Sequence, residues 1–95
     1  MMQDLHFGHV VRSVAGRDRL RVFIVIGIRE IKSGYVALVA NGALHAAEEP
    51  KVKNPRHLRI VAELTESEKA ELVSSLSNEK LKDFCNKYDN FPKKI

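Results

Sequence analysis

The chain has 95 residues, of which 44% are apolar and 29% charged, and a formal net charge of +4. That balance fits one soluble globular domain and excludes a disordered polyelectrolyte. The longest apolar run, residues 22–28, is far too short to cross a bilayer.

Charge is spread unevenly. Residues 1–62 carry ten basic residues against five acids (+5), and residues 63–95 carry six against seven (−1). A polyanion partner is therefore expected at the front of the chain, nucleic acid ahead of membrane, because no basic amphipathic helix accompanies the charge. Cys85 is the only cysteine, which rules out an internal disulfide and fits a reducing cytoplasm. Residues 1–6 have no apolar h-region, so no signal peptide is predicted.

In chain order, residues 7–14 read as a first strand, with Val10, Val11 and Val14 apolar. Residues 16–19, Gly-Arg-Asp-Arg, form a basic turn in which Gly16 can take positive φ. Residues 20–28 are the clearest strand. Val22, Ile24, Ile26 and Ile28 fall on one face and Phe23 and Val25 on the other, so both faces need cover. Residues 29–34 read as a polar connection and residues 35–40 as a third strand. Asn41-Gly42 is the pair preferred in a type I′ hairpin, which predicts a fourth strand over residues 43–48 despite few β-formers there. Pro50 and Pro55 make residues 49–57 an extended loop, followed by a fifth strand over residues 58–62.

The tail is helical. Thr65 and Glu68 have the spacing of a capping box, opening a helix to about residue 76. Ser77 can cap a second helix. There Leu81, Phe84, Cys85 and Tyr88 recur at i, i+3, i+4 and i+7, one apolar face suited to cover the outer side of the second strand.

Two basic clusters carry the functional reading. The first is Arg12, Arg17, Arg19 and Arg21, four guanidinium groups within ten residues. The second is Lys51, Lys53, Arg56, His57 and Arg59, with no acid between residues 51 and 59 and prolines holding it extended. An extended basic segment can follow a phosphate backbone, each contact releasing counterions. Two clusters in so small a domain favour RNA binding over a merely solubilising surface. His57 can donate to a phosphate, and Tyr35 is the best stacking candidate among the aromatics, although core packing is favoured for it. His6 and His9 stand three apart with no cysteine or paired acid beside them, so no metal site is predicted. No phosphate-binding glycine loop, nucleophile elbow or catalytic carboxylate pair is present, so no catalytic activity and no cofactor are expected.

The first cluster also carries a family resemblance. Gly8, Val11, Gly16, Arg17-Asp18-Arg19 and the apolar run from Val22 resemble the KOW motif of ribosomal proteins and transcription–translation factors. Gly34-Tyr35-Val36, Asn41-Gly42, Pro50-Lys51 and Lys53-Asn54-Pro55-Arg56-His57-Leu58 resemble a bacterial group of KOW proteins. That group is similar to KOW-bearing large-subunit ribosomal proteins of archaea and eukaryotes. Departures are Leu20, where the family usually has a second glycine, and Ala46, Ala47 and Val52, where the group tends to be basic or bulky. The Leu20 departure predicts an earlier entry into the second strand or a different bend. The resemblance implies a mainly β fold: a small five-stranded SH3-like (KOW) barrel over residues 5–63, with a C-terminal helical extension over residues 64–92. It further implies a ribosome-associated protein in the cytoplasm that binds ribosomal RNA, with ribosomal proteins as further partners. The alternative is a protein–protein module acting in translation or transcription, using the helical tail or the barrel rim.

Overall fold

The computed structural model describes residues 4–17, 19–43 and 45–89. Five strands form one antiparallel sheet: β1 (His9–Ser13), β2 (Val22–Ile31), β3 (Gly34–Ala40), β4 (Lys51–Lys53) and β5 (Leu58–Glu63). Two helices follow, α1 (Glu66–Ser74) and α2 (Asn78–Tyr88). The strand order is β4-β3-β2-β1-β5, with no ladder joining the edge strands β4 and β5 among the described residues. A 3-10 turn, Pro55–His57, links those two edges. No helix among the described residues is long and apolar enough to cross a membrane.

The predicted two-faced character of the second strand is what builds the molecule. Val22 and Ile24 pack with Val10 and Ala40 beneath Leu64, which follows β5, and Leu72, Leu81, Cys85 and Tyr88 of the two helices. Phe23 and Val25 face the other way, with Leu5, Val11, Ala37, Val39 and Leu58. The face at positions 81, 84, 85 and 88 is thus the cover one side of β2 requires; Phe84 is half-buried and the other three are buried. A register shift between Val25 and Gly27 places Ile28 opposite Ala37, and so on the Phe23 side. Ile28 therefore leaves the stripe the alternation predicts, because a bulge inserts one extra residue and inverts everything after it.

Three other expectations are corrected. The polar connection is shorter than read, since β2 continues to Ile31 and only Lys32 and Ser33 form the turn. Asn41-Gly42 does not close a hairpin onto a strand over residues 43–48. The Asn41 side-chain oxygen instead accepts from the backbone N–H of Ala43 and His45, folding the chain into an irregular loop. The Gly42 amide is tied to the His45 carbonyl, and a side chain at Gly42 would collide with the Asn78 carbonyl oxygen. Two constraints need this glycine, its left-handed backbone (φ +77°) and the close approach of α2. The fourth strand forms at Lys51–Lys53, inside the segment expected to be a loop, where its backbone pairs with Ala37, Leu38 and Val39.

The helical layer is held by a polar knot. Thr65 caps α1, accepting from the Glu68 amide (3.1 Å), while Glu68 accepts from the Thr65 amide (2.9 Å). The Glu68 carboxylate also accepts from Tyr88 Oη (2.8 Å) and Lys87 Nζ (2.7 Å) on α2. Burial works against this carboxylate, but the Lys87 ammonium, the Thr65 amide and the Tyr88 hydroxyl hold its pKa down at about 2.

Candidate nucleic-acid interface

The basic turn connects β1 to β2. Ser13 donates to the Arg21 carbonyl (3.0 Å) and Leu20 to the Ser13 carbonyl (2.7 Å), closing the neck of the turn. Arg19 donates to the Gly16 carbonyl (3.2 Å), and Gly16 sits at φ +76°, where a side chain would meet no atom but the backbone favours glycine. Leu20 sits at φ +71°, the left-handed region. The bend expected to change with the missing glycine is made by a leucine in a glycine-like conformation, at a cost of about 1–2 kcal/mol. β2 starts at Val22, so the chain does not enter the strand early.

The strained carbonyl has a partner. Arg12 Nη1 donates to the Leu20 carbonyl (2.6 Å) and to Asp89 Oδ1 (3.1 Å), just after α2. Arg12 is only 1% exposed. This corrects its expected role: Arg12 is a brace between the turn and the helix end, not a surface contact. A cation beside a helix C-terminus also meets the negative end of the helix dipole. Lys53 is corrected in the same way. It is 8% exposed, and its ammonium donates across to Ser13 Oγ (3.4 Å). On a strand, alternation decides which lysine points inward, and charge does not reveal it.

The remaining predicted residues, Arg17, Arg19, Arg21, Lys51, Arg56, His57 and Arg59, are exposed. The two basic segments meet at one end of β1. Val14 donates to the His57 carbonyl (2.8 Å), Ser13 pairs with Leu58, and Arg12 with Arg59. The backbone around Arg21 and the backbone around His57 thus flank the same strand end. Asn54 caps the 3-10 turn by accepting from the Arg56 amide (2.9 Å), which fixes how Arg56 and His57 leave the edge of the sheet. Lys51 lies on the opposite edge strand, β4.

The start of β1 holds a cluster that sequence reasoning missed. His6, His9 and Glu63 bring three metal-capable donor atoms within 4.8 Å of one another. The rings of His6 and His9 lie 3.8 Å apart, and His9 Nε2 is 3.8 Å from Glu63. The acid comes from the end of β5, 54 residues after His9, so only strand pairing reveals it. The hydrogen bonds argue against a metal. His9 Nδ1 accepts from the His6 amide (3.1 Å), which puts the ring hydrogen of a neutral His9 on Nε2, toward Glu63. A ligating histidine normally does the reverse, donating from its second nitrogen. Lys69 is also bonded to Glu63. Burial, and then His6, lower the pKa of His9.

Cys85 is buried, and its thiol pKa is pushed up to about 12 by burial and then by Asp89. That thiol is not a nucleophile at neutral pH. No family model matches the chain, and no curated protein matches it.

Proposed function

We propose that this protein is a non-catalytic RNA-binding module of KOW type that contacts the phosphate backbone of structured RNA, with ribosomal RNA as its target and the cytoplasm as its compartment. The observation that carries this reading is the meeting of the two basic segments at one end of β1. Arg17, Arg19 and Arg21 stand on one side, and Arg56, His57 and Arg59 on the other. Guanidinium groups fanned over a rigid strand end suit phosphates spaced along a helix and recognise shape ahead of base identity. The ribosomal assignment rests on the resemblance of residues 5–60; the polyanion assignment rests on the surface.

An SH3-like barrel is the fold we propose for the sheet. Edge strands of a flat five-stranded sheet would lie about 19 Å apart. Here residues 54–57, three of them in a 3-10 turn, connect the edges. Such a link spans only about 13 Å. Lys53 on β4 also bonds Ser13 on β1. Both observations support a sheet curled around Phe23, Val25 and Val39.

The test is binding of a structured ribosomal RNA fragment by fluorescence anisotropy across a salt series. Log K falls linearly with log salt, and each of Arg17→Gln, Arg56→Gln and Arg59→Gln lowers the slope by about one. Absence of binding at low salt would overturn the reading. It would leave a protein–protein module, for which the exposed Val73 (75%) and Leu76 (42%) of the helical tail are the supporting observation.

A further inference from the structure

A hollow of about 290 Å³ opens between the basic turn and α2. Its volume is at the bottom of the range for small-molecule sites. Val22 and Cys85, both buried, border it together with Leu20. Leu20 is an unusual wall: a leucine 45% exposed and held at φ +71°. Strain of this kind persists where the surrounding structure enforces it, and here the Arg12 brace does so. The outcome is an apolar side chain beside the hollow, directly next to Arg21.

The remaining lining is polar and matches the other parts of a nucleotide. Arg21 stands on the turn side and Lys82 on the helix side, and both are exposed. Neither is engaged by a carboxylate among the described residues. The Asn86 side chain carries no hydrogen bond to another described residue, and the Asn41 side-chain oxygen is already committed to backbone amides, which leaves its NH2 as a donor. Asp89 offers a carboxylate oxygen beyond the one bonded to Arg12.

We propose that this hollow is a subsite for a single unpaired nucleotide of the bound RNA, its base on Leu20, its phosphate between Arg21 and Lys82, and its polar edge toward Asn86 and Asp89. The proposal rests on the RNA-binding reading and adds to it a point of base discrimination. A carboxylate acceptor favours a base with an exocyclic amino group, such as cytosine, over uracil. The occupant is an extruded nucleotide and not a duplex, because a hollow of this size is far too small for a helix and unpaired bases expose their edges.

The test compares three RNAs on the full chain by fluorescence anisotropy at fixed low salt: a paired duplex, the same duplex with one bulged cytidine, and the same duplex with one bulged uridine. The expected order is bulged cytidine, bulged uridine, duplex, with about tenfold between the first and last. Asn86→Ala, an exposed helix position that tolerates alanine, is expected to reduce that advantage to less than threefold and to leave duplex affinity unchanged. Equal binding of all three RNAs would overturn the subsite and keep the phosphate-binding reading. A cytidine advantage that survives Asn86→Ala would also overturn it. Failure of every RNA to bind would overturn the RNA-binding reading itself.

Discussion

The two ends of β1 handle charge in opposite ways. At its start, the His9 ring lies close against that of His6, tilted by 39°, and faces Glu63, which is bonded to Lys69, itself 3.4 Å from Glu66. There the Lys69 ammonium answers the Glu63 and Glu66 carboxylates, and the two histidines close on Glu63 from another part of the chain. At its other end, Arg17, Arg19, Arg21, Arg56 and Arg59 gather, and none is paired with a carboxylate among the described residues. Of the arginines at that end, Arg12 is the one paired with a carboxylate among the described residues, and it is buried. Balanced charge holds one folded arrangement together. Unbalanced, exposed charge contributes little to folding and leaves a field for an outside anion.

The sharpest way to test this division is to break paired groups and watch stability, then remove unpaired ones and watch it stay. Glu68→Ala removes the capping box and the bonds that Lys87 and Tyr88 donate to this carboxylate. The expected loss is about 3 kcal/mol, read from urea unfolding. The pH dependence follows from the same carboxylate. Its folded pKa of about 2 lies below the unfolded value of 4.5, so its contribution is complete above pH 4.5 and is lost as pH falls toward 2. Glu68→Gln is expected to flatten that part of the acid unfolding curve.

Asp89→Ala leaves the Arg12 guanidinium buried with carbonyl partners only. A loss of about 2 kcal/mol is expected by urea unfolding, and a loss near zero would mean that Arg12 needs no counter-charge. Leu20→Gly acts in the other direction. Relief of the left-handed strain outweighs the added freedom of the unfolded chain, and a gain of about 0.5 kcal/mol is expected, read as a rise in Tm.

Arg17→Gln and Arg59→Gln are expected to leave stability within about 0.5 kcal/mol of the parent by the same urea assay. A larger loss would mean that the basic end is structural and would remove the contrast between the two ends. The smallest expected effect is at His9. Its pKa is lowered in the fold, so its contribution is complete above about pH 6.5 and is lost as pH falls below that. The urea midpoint should drop slightly between pH 7.5 and pH 5, and less so in His9→Gln.

Much of this was legible in the chain. The alternation of residues 22–26 assigned both faces of β2, and the i, i+3, i+4, i+7 spacing at Leu81 picked out the helix face that covers one of them. The Thr65 and Glu68 spacing located the start of α1. The fourth strand was misplaced, because Lys51–Lys53 is a three-residue edge strand whose order comes from pairing with β3 and not from its side chains. The candidate site was legible as two basic segments but not in its membership, since Arg12 and Lys53 read as charge like any other until their neighbours are known.

By itself the sequence determined the periodicities, the cap and the excess of positive charge in the first two-thirds of the chain, all properties of residues near one another along the backbone. Tertiary structure alone decided which arginines are exposed, that Leu20 bends like a glycine beneath the Arg12 brace, that Glu63 meets two histidines, and that residues 41 and 86 border one hollow. Most of those facts depend on partners tens of residues away, and local propensity carries no information about a partner that distant.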